Sequence, residues 1–129
     1  MAITLSVANK NTRADALVDL VDAGTTNTYG QLWLKDVSSN VLSKHDMSDP
    51  AFGDAASGVA VADSISSEDG LLSGACTKFS VVDKDETEIF AGTVTAVGGG
   101  GDLESDTSST QVTAGENVDI TSLTYVEGG

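Results

Sequence analysis

Basic side chains, histidine, cysteine, aromatic rings and long apolar runs are all scarce in this 129-residue chain, and each shortage excludes something. Six Lys and Arg stand against 20 Asp and Glu, a formal net charge of -14. Gripping a phosphate backbone takes cations that displace its counterions, so nucleic acid is not an expected partner. An anionic membrane surface fails on the same ground. One cysteine, Cys76, rules out an intrachain disulfide, and with one histidine, His45, it cannot complete a structural zinc site. No stretch approaches the roughly 18 apolar residues that a membrane-crossing helix needs. The opening MAITLSVANK has neither a basic start nor a long apolar run, so no signal peptide is expected, and a soluble cytoplasmic product is.

What is present points to a small, polar, β-rich domain. A chain of this length forms one domain that buries about two-thirds of its unfolded surface. Hydrophobic residues make up 40% and aromatics 5%, so little large-residue packing is to spare. Abundant Gly, Ser, Thr and Asp favour short strands joined by many turns. Self-repulsion keeps free copies apart, screened over about 8 Å at physiological salt, so an assembly must supply its own attraction.

The convincing helix lies in NTRADALVDLVDAG, where Ala14, Leu17, Val18 and Val21 line one face at helical spacing. Thr12 with Asp15 fits a capping box, Gly24 fits the left-handed residue after the helix end, and a start as early as Ser6 is compatible. Beyond Gly24 the period changes. TYGQLWLKD alternates, with Leu32 and Leu34 on one side and Tyr29, Trp33 and Lys35 on the other. NVLSKHDM and GVAVADSI read as further strands. GACTKFSVVD and TEIFAGTVTAV flank the turn DKDE as a hairpin, with Cys76 in its first strand as a small buried hydrophobe. TQVTAG and NVDITSLTYV add one or two more. The expectation is a single domain over 1–129, with an N-terminal arm and helix to residue 24 and a β-domain over 25–129. The class is mainly β, an antiparallel sandwich or barrel of six to eight short strands with one N-terminal α-helix.

The stretches that could carry chemistry each have a plainer reading. Gly98, Gly99, Gly100 and Gly101 are followed by acids rather than the lysine of a phosphate loop, so a flexible surface connection is expected. Asp83 and Asp85, and Asp102, Glu104 and Asp106, alternate as calcium ligands can, but a solvated turn explains such pairs in so acidic a chain. No metal or cofactor is expected. His45, in LSKHDMSDP, is the one residue a Ser-His-Asp triad could use; with no nucleophile elbow near any serine, a surface histidine is expected. Sugar chemistry lacks aromatic platforms. In MSDPAFGDAASG, Asp49-Pro50 favours a turn, and Phe52 pins the loop in the core or anchors a neighbouring subunit.

ITLSVANKNTRADALVDLVDAG, SDPAFG, FSVVDKDETEIFAGTV and VTAGENVDITSLTY together resemble a group of small tailed-bacteriophage virion proteins, over most of residues 3–125. The resemblance implies a structural part of a virus particle, most like a capsid decoration (cement) protein, and no active site. It implies a product of the host cytoplasm that ends on the outer capsid surface. Its partners would be the major capsid protein and itself, as a trimer. Contacts are expected from the N-terminal segment with Ile3 and Leu5, from Phe52, and from Gly98 to Gly101. A tail or fibre-associated β-domain is one alternative, and a calcium-dependent carbohydrate-binding module is another.

Overall fold

The computed structural model describes residues 6–96, 98–100, 103–104, 109–120 and 123–126. Helix α1 runs over Val7–Asp19, and a 3-10 turn over Leu20–Asp22 extends it. Ser6 is the cap, its hydroxyl accepting the Asn9 N–H at 3.2 Å. The helix therefore starts before Thr12, whose hydroxyl instead donates to the Ala8 carbonyl at 3.0 Å inside the helix. Ala14, Val18 and Val21 are buried and Leu17 is half-buried, so the apolar face is the expected one. Gly24 follows with φ +109°, a conformation that L side chains rarely adopt.

The strands are β1 (Gln31–Lys35), β2 (Val41–Asp46), β3 (Val59–Val61), β4 (Glu68–Asp69), β5 (Gly74–Ala75) and β6 (Lys78–Val82). They continue as β7 (Glu88–Thr95), β8 (Leu103–Glu104), β9 (Gln111–Val112), β10 (Asn117–Val118) and β11 (Thr124–Val126). The protein is mainly β with one N-terminal helix, and several of its strands are only two residues long. One five-stranded sheet has the order β2-β1-β6-β7-β8, antiparallel except for the parallel β7–β8 pair. Among the described residues β2 and β8 do not pair with each other, so the sheet does not close into a barrel. Three antiparallel ribbons, β3–β11, β4–β10 and β5–β9, complete the β-structure. The expected DKDE hairpin is β6–β7, and Cys76 lies buried in the gap between β5 and β6 rather than within a strand.

Alternation sets the two faces of the sheet. On the inner face Leu32 is flanked by His45 and Val81, and Leu34 by Ser43 and Phe79. These side chains join Val18 and Val21 of the helix segment, Phe52, Ala60 of β3 and Val112 of β9 in one hydrophobic core. Phe90 links Phe52 to Tyr125 through tilted ring contacts at 6.2 and 5.2 Å. On the outer face Trp33 sits between Lys44 and Ser80, and Lys35 between Val41 and Lys78. The free edge of β2 is covered by the chain around Ser66 and Leu71, whose N–H groups donate to Asp46 and Leu42 at 2.8 and 2.7 Å.

Candidate functional site

Many polar side chains of this acidic protein are occupied in holding its backbone. Along α1 and the 3-10 turn, Asn11, Asp15 and Asp22 accept the N–H groups of Gly58, Ala55 and Ala51 at 2.8, 2.8 and 2.9 Å. The helix thereby clamps the loop that follows the cis Asp49–Pro50 bond. Asp36 accepts from the Asn40 side chain and from the N–H groups of Asn40 and Ser38, which holds its carboxyl below the usual range. Partial burial pushes the Asp22 carboxyl up, against the Ala51 N–H that lowers it.

The DKDE turn uses its acids in the same way. Asp83 accepts the N–H groups of Asp85 and Thr87, both at 2.9 Å, closing the turn on itself. Asp85 accepts from Thr25 and Thr26 at 3.0 Å, which ties the hairpin tip to the chain after the helix and lowers its pKa. Of the other calcium candidates, Asp102 and Asp106 lie outside the described residues, and Glu104 is described only as backbone of β8. Among the described residues no three metal-ligating side chains converge.

His45 corrects the sequence reading: it is fully buried, not a surface residue. Its Nδ1 lies 2.8 Å from the Ser66 carbonyl and its Nε2 lies 2.8 Å from the Ser43 hydroxyl. A carbonyl can only accept, so Nδ1 carries the proton and Nε2 accepts from Ser43. Burial lowers the pKa of the ring. Ser43 and His45 have the contact of a nucleophile and base, yet both are sealed from solvent, so the pair is a structural clamp from β2 to the covering segment.

The expected assembly residues divide. Phe52 is 4% exposed within the core, so it pins its loop and is not free to anchor a neighbour. Gly98, Gly99 and Gly100 are exposed; Gly98 and Gly100 both have φ +80°, and Gly99 donates to Ala96 at 3.0 Å. Gly98 and Gly100 thus use the left-handed backbone that glycine allows. Ile3, Leu5 and Gly101 lie outside the described residues.

The surface feature that sequence reasoning missed is the outer sheet face. Trp33, the sole tryptophan, is half-buried and donates Nε1–H to Gln31 Oε1 at 2.9 Å. Lys44 Nζ lies 4.4 Å from its ring centre and Lys35 Nζ 5.8 Å, both cation–π geometries. Lys35 and Lys78 stand directly opposite each other in the β1–β6 register. Two of the six basic residues thus lie over one indole, and a third, Lys78, stands in the neighbouring row. The alternation of QLWLK already placed Trp33 beside Lys35; the register of β2 and β6 supplied the rest. Elsewhere, Val61 and Val126 are 51% and 64% exposed on the β3–β11 ribbon, and an open depression lies between Tyr29, Asp46, Asp49 and Ser64.

Comparison with protein-family models, curated proteins and solved structures finds no match for this chain. Among the described residues no helix is long and apolar enough to cross a membrane.

Proposed function

We propose that this chain is a non-enzymatic structural protein of a tailed-phage particle, a capsid decoration (cement) protein that binds and stabilises the outer surface of the head. Its partners are the major capsid protein and further copies of itself, as a trimer. The observation that carries this reading is where the reactive groups are spent. Ser43 and His45 are sealed in the core, and Asp15, Asp22, Asp36, Asp83 and Asp85 hold backbone N–H groups. Among the described residues these groups serve the fold, which supports reading the molecule as one that offers a partner a surface. A strongly acidic exterior suits a protein displayed at high density, since it maintains solubility and discourages clumping of particles. The sequence resemblance to phage virion proteins points the same way.

The test is the copy number of this chain in purified particles, measured by quantitative mass spectrometry against the major shell protein. A ratio near one per shell subunit is expected. A few copies per hundred would place the chain in the tail or fibre, and absence from particles would end the structural reading.

A further inference from the structure

The outer face of the main sheet combines three features that fold stability alone does not favour. Lys35 and Lys78 are paired across β1 and β6, and like charges set directly opposite on a sheet destabilise it. With 20 acids in the chain, an opposite-charge partner was available at low cost, yet neither lysine has an ion pair among the described residues. Lys78 Nζ donates to the Ser39 hydroxyl at 3.2 Å and feels the Asp36 carboxylate only through space, and Lys35 leans over Trp33. The indole itself is fixed before any partner arrives, by Gln31 on its N–H and Lys44 over its ring. A pre-ordered tryptophan loses little freedom on docking, which is the economy of an interface anchor. Beyond Ser80, on β7, Ala91 and Thr93 are small and exposed.

We infer that this face docks an acidic protein surface, with Trp33 as the anchor and a carboxylate of the partner bridging Lys35 and Lys78. A bridging carboxylate removes the repulsion between the two lysines, so docking gains both the new pairs and the relief of the old strain. The occupant is a protein rather than a polyphosphate. A chain of net charge -14 is repelled by nucleic acid and anionic lipid, whereas a single acidic patch on a folded partner is reached at short range. Acids mark the edge of the face: Glu86 lies 3.9 Å from Lys44, Asp46 holds Gln31, and Glu88 accepts from Ser80 at 2.6 Å. They confine the partner's negative charge to the Lys35–Lys78 row.

The inference rests on the chain being a head-binding protein, and the occupant is then an acidic patch of the shell. Heads purified without this chain are mixed with wild type, Trp33→Ala, Lys35→Glu, or the helix control Lys10→Ala, and sedimented. Wild type and Lys10→Ala are expected to bind alike. Trp33→Ala and Lys35→Glu are expected to bind at least about tenfold more weakly. Lys35→Glu also places opposite charges across β1–β6, so its melting temperature should rise, which separates lost docking from lost folding. Emission from the single tryptophan should shift to the blue when wild type binds. If wild type binds and Lys35→Glu and Trp33→Ala bind equally well, this docking face is wrong while the head-binding reading stands. If wild type fails to bind, the head-binding reading falls and takes this occupant with it. Release of bound wild type by duplex DNA or anionic vesicles, but not by an acidic peptide, would overturn the choice of a protein partner.

Discussion

Ser43 and His45 sit two residues apart on β2 with Oγ and Nε2 2.8 Å from each other, both out of reach of solvent. The arrangement leaves the imidazole neutral, with one nitrogen committed as donor to Ser66 and the other as acceptor. Protonation would turn the acceptor into a second donor facing a hydroxyl. Ser43 would then have to turn its own proton away and accept instead, and the new charge would lie in the core. Glu68, Asp119 and Asp46 favour the charged ring, but burial outweighs them.

The pH dependence follows from that balance. An unfolded histidine takes its proton near pH 6.5, and His45 in the fold takes it lower, so over that interval the unfolded state binds more protons. The contribution of His45 is fully present above about pH 6.5 and is lost as pH falls toward the folded pKa, at up to about 1.4 kcal/mol per pH unit. Urea unfolding at pH 7.5, 6.5 and 5.5 should show this slope in wild type and a flatter one in His45→Gln. Equal slopes would mean that other groups dominate the window.

The two hydrogen-bonding aspartates with opposite shifts should respond oppositely to amidation. The raised pKa of Asp22 means that its charge is held at a cost, so Asp22→Asn keeps the acceptor for Ala51 and should be neutral or stabilising at pH 7. Asp22→Ala strands that N–H and should cost about 1–3 kcal/mol. The lowered pKa of Asp85 means that its charge contributes stability above the unfolded carboxylate range, lost as pH falls through the folded value. Asp85→Asn should therefore weaken the fold at pH 7 and speed hydrogen exchange at Thr25 and Thr26. Denaturant curves and amide exchange read both.

Calcium should leave the melting temperature where it is, because Asp83 and Asp85 each already hold two backbone N–H groups on one carboxylate oxygen and, among the described residues, no third ligand converges on them. A site filled at 100 times its Kd would add about 2.7 kcal/mol. A rise of that size, reversed by chelator, would restore the carbohydrate-module alternative.

In the glycine turn, Gly98→Ala and Gly100→Ala should each cost about 1 kcal/mol from backbone strain alone, since no neighbour would meet the added methyl. Gly99→Ala should cost by a different route, because its methyl would sit 2.7 Å from Thr95 Cβ. Loss of the fold in either of the first two would show that the turn is coupled to the core.

Cys76 should resist alkylation at pH 8 in the native protein, its thiol pushed up to about 11 by burial, and react once denatured. Rapid native labelling would mean that the gap between β5 and β6 opens.

The parts of the fold legible in the sequence were those written as a period or a turn. Ala14, Val18 and Val21 announced the helix face, Leu32 and Leu34 the inner sheet face, and DKDE the hairpin. His45 was misread because neighbouring charges in LSKHDM suggested a surface, whereas its position is set by strand parity with Ser43 and by a carbonyl 21 residues away. Phe52 could be read two ways until Phe90 was beside it. The Trp33 face needed the β1–β2 and β1–β6 registers, which no local pattern encodes.

The Asn11, Asp15 and Asp22 ladder limits how far this protein can be recoloured. Reversing its net charge by exchanging acids for lysines, a common route to altered solubility or cell uptake, would treat every carboxylate as decoration. Here several are fasteners, and a lysine has no lone pair to offer an N–H. Charge engineering should spare Asp15, Asp22, Asp36, Asp83 and Asp85, and begin with acids such as Asp54 or Glu116, which lie on the exposed surface.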